Sequence, residues 1–206
     1  MKERRLSLTK TIGSHACFFV LNSIIRNSMG NFKNFFHNET QRFFFESHYE
    51  DISEPLKEYI VGSDGSLHET PTSQTLLGVK RNGKWGWVDP NNMFIIQPIY
   101  DSGFVTCYDG IIVMQKNGDW GGLYRNDGAT AFSFKYHHLS YAYGSTYVAR
   151  NRFNRCALVK PDDRMLTGFD YKGFSNYNQG NITEFVKSGF FGDSKGYIDL
   201  NTGIEL

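Results

Sequence analysis

Cysteine is scarce in this chain: Cys17, Cys107 and Cys156 lie far apart, with no Cys-x-x-Cys pair. A disulfide framework or a zinc ribbon needs more and closer cysteines, so both are excluded and three buried, reduced thiols are expected. Charge of one sign is lacking as well. Lys and Arg number 22 against 21 Asp and Glu, so no global field argues for nucleic acid or an anionic membrane. Long apolar runs are absent. The basic opening "MKERRLSLTK" is followed by "ACFFVL", which stops at Asn22. That run is far short of the ~20 residues of a membrane-spanning helix, and no A-x-A cleavage site follows it. The expectation is a cytoplasmic protein with no membrane span.

Catalytic signatures are missing too. There is no G-x-S-x-G and no glycine loop of the form that cradles phosphate. His137 and His138 are adjacent, so on a strand they face opposite sides and cannot chelate one ion. Asp162-Asp163 sits in "KPDDR", where Pro and Asp play their usual turn roles. The sequence therefore predicts no catalytic residues, no metal site, no cofactor and no enzymatic activity.

Aromatic residues, in contrast, reach 16%, with 18 Phe and 12 Tyr, which favours strands and large buried contacts. Three markers recur on one period. Trp85-Gly86 and Trp120-Gly121 are each preceded by Asn-Gly, the strongest short hairpin signal, because a type I′ turn needs two residues that tolerate positive φ. Tyr100, Tyr136 and Tyr171 stand 36 and 35 residues apart, and Gly110, Gly144 and Gly180 precede short apolar or β-branched runs at intervals of 34 and 36. A third unit has Cys156-Ala157 in place of Trp-Gly, and a fourth, partial one has Gly196-Tyr197-Ile198-Asp199. The pattern predicts a mainly β protein of consecutive antiparallel three-strand meanders, forming a curved, barrel- or propeller-like body. Trp and Gly together read as a packing device. A buried ring removes roughly 200 Å² from water, and the bare Gly backbone lets another chain segment approach.

These residues resemble the WG-repeat family of bacterial proteins. The match is "GKWGWVDP", "QPIYD" and "DGIIV", in the family's order and spacing. It covers residues 79–206, divided at about 79–113, 114–149, 150–185 and a partial 186–206. The resemblance implies an all-β repeat body used for binding, with no shared catalytic residues.

Residues 1–78 lack the repeat and are expected to form a partly helical capping segment. Phe18, Leu21, Ile25, Met29, Phe32 and Phe36 fall on one helical face, with Ser14 as its N-cap. "RFFFES" reads as a short buried strand and "EYIVGSDGSLHE" as a strand-turn-strand cap on the first repeat.

Two recognition surfaces follow. Residues 46–78 carry seven acids against one base, and Glu50, Asp51 and Glu54 could meet a basic protein. The leading expectation is a non-enzymatic protein-binding module, with an immunity protein that neutralises a secreted nuclease-type competition toxin as the specific form. The second reading is nucleic-acid binding by the hairpin "YAYGSTYVARNRFNR". There Tyr141, Tyr143 and Tyr147 would stack bases, while Arg150, Arg152 and Arg155 would meet phosphates, Arg150 and Arg152 from one strand face.

Overall fold

The computed structural model describes Phe35 and residues 39–61, 66–70, 75–175, 180–189 and 192–206. The helix expected over Ser14–His37 and the thiol of Cys17 lie outside the described residues. Helix α1 (Glu39–His48) is followed by β1 (Asp51–Pro55), β2 (Lys57–Val61) and β3 (Leu67–Thr70). The first meander is β4 (Leu77–Arg81), β5 (Lys84–Val88) and β6 (Phe94–Tyr100). The second is β7 (Ser102–Tyr108), β8 (Ile111–Lys116), β9 (Asp119–Tyr124) and β10 (Thr130–Tyr136). The third is β11 (His138–Tyr143), β12 (Thr146–Arg150), β13 (Cys156–Lys160) and the two-residue β14 (Arg164–Met165). The last is β15 (Tyr171–Ser175), β16 (Ile182–Gly189) and β17 (Gly192–Asp199).

The protein is mainly β, and its repeat is antiparallel. The expected three-strand core of each unit is present, and β7 and β11 add a strand ahead of it in the second and third units. Among the described residues the sheets are open paths, β1-β4-β5-β6, β10-β9-β8-β7-β2-β3 and β11-β12-β13-β15-β16-β17, and none of them closes into a barrel. The period is visible in the register: Trp85 pairs with Tyr100, Trp120 with Tyr136, and Cys156 with Tyr171. Gly110, Gly144 and Gly180 all have positive φ, which explains why glycine recurs before β8, β12 and β16.

The units stack as layers. Side chains on one face of the first sheet (Trp87, Ile96, Tyr100) pack with Ile112, Met114 and Leu123 of the second. The second sheet's other face (Ile111, Val113, Phe132) packs with Leu139, Tyr147 and Val159 of the third. The third sheet then folds over on itself. Only the Cys156–Tyr171 bridge joins β13 to β15, and Val148 and Leu158 pack with Phe174, Phe185 and Ile198. At the other end Phe45 of α1, with Phe35, covers Leu77, Val79 and Val88 of the first sheet.

Three expectations are corrected. "RFFFES" is not a strand: it lies in α1, where helical spacing sends Phe45 into the core and leaves Phe43 and Phe44 exposed. The tryptophan that is fully buried is Trp87, while Trp85 and Trp120 are half-buried against their cores. The strand-turn-strand at "EYIVGSDGSLHE" is present as β2–β3, but it joins the sheet of the second unit and does not cap the first. β2 pairs in parallel with β7 of the second unit, and Tyr59 stacks on Tyr108, which stacks on Tyr141 of the third.

Candidate functional site

The Asn-Gly pairs turn the chain where the sequence places them. Asn82-Gly83 and Asn117-Gly118 have positive φ throughout and join β4 to β5 and β8 to β9 in two residues. The equivalent turn of the third unit, between β12 and β13, has five residues, Asn151 to Arg155. The enlarged turn is tightly bonded. The Asn151 side-chain oxygen accepts from the backbone N–H of Phe153 and of Arg155, both at 3.0 Å, and the Asn151 N–H donates to the Arg155 carbonyl at 2.9 Å. Asn154 takes φ 61°, and its side-chain oxygen accepts from Arg150 at 2.6 Å. The product is a fixed projection whose tip, Phe153, is 87% exposed.

The turns form a continuous row. Glu50 accepts from the Gly83 N–H at 2.9 Å. The Asp101 carboxylate pairs with Lys84 and accepts from the Gly118 N–H at 3.1 Å, tying the first turn to the second. Hydrogen bonding from Lys84 and from the Gly118 N–H holds that carboxyl below its ordinary range. Asp119 receives Arg152 at 3.2 Å on both oxygens, and Arg155 donates to Ser188 at 2.7 Å, so the row passes to the last unit. Glu50 and the Arg152–Arg155 turn therefore stand towards opposite ends of one surface.

The remaining candidates fall as follows. Asp51 and Glu54 are exposed on the edge strand β1, with Asp51 holding the Ile52 N–H at 2.9 Å. Tyr147 is buried and donates to the Tyr108 carbonyl at 2.8 Å. Tyr141 is half-buried, its ring 4.6 Å from that of Tyr108 and nearly parallel, and burial pushes its hydroxyl up to about 12. Tyr143 packs against the third core. Tyr141 and Tyr147 are engaged by protein rings, Tyr141 with Tyr108 and Tyr147, and Tyr147 with Phe132, so they form no free row of faces for bases. Nor do Arg150 and Arg152 share a strand face: β12 ends at Arg150, and Arg152 belongs to the turn. Phe153 was not singled out by sequence reasoning. Its signal was the insertion itself, three residues more than an Asn-Gly turn.

Burial raises the thiols of both described cysteines, that of Cys107 to about 12, which keeps them neutral and unreactive. Among the described residues no group of three His, Cys, Asp or Glu could hold a metal ion. No helix among them is long and apolar enough to cross a membrane.

No family model matches this chain, and no curated protein matches it. Solved structures show distant likeness. The WD40 β-propeller domain of Doa1 is 12% identical, with a TM-score of 0.33, covering 72% of this chain and 52% of that one. BamB from Moraxella catarrhalis is 13% identical, with a TM-score of 0.33, covering 71% and 50%. The WD40 domain of coronin from Toxoplasma gondii is 8% identical, with a TM-score of 0.31, covering 77% and 65%. The matched region thus spans half to two thirds of those chains.

Proposed function

We propose that this chain is a non-catalytic, protein-binding β-repeat protein of the WG-repeat type, and that it grips its partner along the row of turns with Phe153 as the anchor. The observation that carries this reading is the enlarged third turn. In repeat proteins, insertions confined to one unit map to loops on one side of the body, which is often the binding side. An aromatic tip flanked by arginines has the composition of an interface hot spot. The internal hydrogen bonds of the turn fix it before binding, which reduces the ordering cost of association.

The finer reading is an immunity protein that caps a competition toxin. Exposed Glu50 and Asp51, at the end of the row away from Phe153, supply the acidic contribution that would speed capture of a basic nuclease-type toxin. The test is affinity capture from the native host with the wild-type chain, with Phe153→Ala, and with Glu50, Asp51 and Glu54 all changed to Lys. The expected result is one stoichiometric protein held by the wild-type chain and lost with Phe153→Ala. A slower on-rate for the triple lysine variant, and a toxic activity in the captured protein, would support the immunity form. Equal capture of the same proteins by wild type and Phe153→Ala would remove the turn from the reading.

A further inference from the structure

In each of the first three layers the face that points along the chain direction is covered by the layer that follows. Leu76 and Trp87 are covered in the first, Ile111 and Val113 in the second, and Val148 and Leu158 in the third, all of them buried. The register places Ile182, Glu184 and Val186 of β16 and Lys195, Tyr197 and Asp199 of β17 on the corresponding face of the last layer, because the opposite face carries buried Thr183, Phe185 and Ile198. The chain after β17 extends this face. Ile198 bridges Glu205, and the Leu206 N–H donates to the Tyr197 carbonyl at 2.8 Å. Glu205 reaches Tyr171 and Lys187 on the inner side, so Ile204 and Leu206 alternate to the outer one. There Tyr197 is 53% and Leu206 71% exposed, and Ile182 and Ile204 are exposed beside them.

We infer that this open face is a self-association surface, on which two copies of the chain pack their last layers against each other about a two-fold axis. Two observations select a second copy as the occupant. The opposite end of the stack carries α1, with Phe45 on the first sheet and Phe43 and Phe44 exposed on its outer side, so it presents a helix and not a second open sheet face, whereas an isologous contact uses this one face twice. The face is also self-complementary in charge. Glu184 and Lys195 lie diagonally across from each other, on opposite sides of Tyr197 and Val186. A two-fold axis in the interface that sets Glu184 of each copy against Lys195 of the other leaves Tyr197 close to the axis, facing its own counterpart. The other acids on this face, Asp193 and Asp199, do not disturb this, since Lys172 pairs with Asp193 at 2.6 Å and Asn181, Asn201 and Thr202 donate to Asp199 at 2.7–3.2 Å. Glu184 has only long contacts of its own, at 3.4 Å from Ser175 and from Tyr197, and is free to turn towards a facing lysine.

The test is the mass of the full chain in solution, by light scattering or sedimentation equilibrium over a concentration series. The wild type is expected to reach twice the chain mass, and Tyr197→Glu or Ile204→Glu to raise the dimer dissociation constant by about tenfold or more. Glu184→Lys alone, which sets lysine against lysine, should weaken the dimer, and adding Lys195→Glu should restore it. All four positions are on the outside of the sheet, and circular dichroism of each variant checks that it folds. A wild-type chain that stays monomeric at every concentration overturns the inference. So does a dimer that none of these substitutions weakens, because its contact must then lie elsewhere. Phe153→Ala should leave the dimer unchanged, which keeps this result separate from the reading of the turn row.

Discussion

At the scale of single residues, the recurring Trp-Gly pair joins two functions that sequence reasoning had run together. The glycine is where backbone approaches backbone. A Cβ on Gly86 would stand 2.6 Å from the Ile96 carbonyl oxygen and 2.7 Å from the Pro98 nitrogen, and one on Gly121 would stand 2.8 Å from the Phe132 carbonyl oxygen. Those are backbone atoms, which cannot swing aside as the end of a side chain can. Gly86→Ala is therefore expected to cost about 1–3 kcal/mol, as overpacking of a fitted core does. Gly173 makes the control: it too is a strand glycine, but nothing lies within 4 Å of its Cβ position and its φ is not positive. Gly173→Ala should fall within about 0.5 kcal/mol of the wild type. Urea denaturation of the two variants checks this, and equal loss from both would mean that the close approach at Gly86 is not what holds glycine there. The tryptophan is less simply a core residue. Trp85 and Trp120 are half-buried, whereas Trp87, two positions on, fills the first core. Period and spacing could find the recurring ring, but Trp85 and Trp87 stand on the same face of β5, and which of them is fully enclosed depends on how far the next layer extends over that face.

At the scale of elements, the same limit explains what was and was not legible. Turns were legible, because Asn-Gly and the lone glycines satisfy a backbone requirement that is local. The pairings Trp85–Tyr100, Trp120–Tyr136 and Cys156–Tyr171 follow from those turns even where tryptophan has been replaced by cysteine. "RFFFES" was misread because three consecutive phenylalanines carry no period, and both a strand and a helix can bury some of them. What decides is the surface waiting for them. Leu77, Val79 and Val88 leave an apolar face on the first sheet, and α1 presents Phe45 to it, with Tyr49 just after the helix packed beside it. Phe45→Ala should then cost about 3–5 kcal/mol, while Phe43→Ser on the outer side should change little. Thermal or urea unfolding distinguishes the two, and a comparable loss at Phe43 would show that α1 has a second buried side. The parallel pairing of β2 with β7 was beyond sequence reasoning for a related reason: nothing in "KEYIV" specifies which unit's edge it joins. Phe153 was overlooked because an insertion is read first as a gap in the repeat and only second as a surface.

At the scale of the whole molecule, the layers make a chain of cores in which each is shared only by neighbours. Phe45 belongs to the core under α1 and Phe185 to the core of the last two layers, and those cores have no residue in common. Phe132 and Tyr147 come from successive layers and touch, with ring centroids 4.8 Å apart. A stack with nearest-neighbour coupling behaves as a one-dimensional array, so distant perturbations add and adjacent ones interact. Stabilities of Phe45→Ala, Phe185→Ala and their double variant should therefore sum to within about 0.5 kcal/mol. Phe132→Leu and Tyr147→Leu, in contrast, remove two halves of one contact, and their double variant should depart from the sum by about 0.5–3 kcal/mol. Both cycles can be measured by urea denaturation, provided the slope stays constant across the set, since a change in slope would itself report a layer opening before the rest. Coupling in the outer pair as large as in the inner one would mean that the molecule responds as a single core, and that the repeat in its sequence is not a repeat in its energetics.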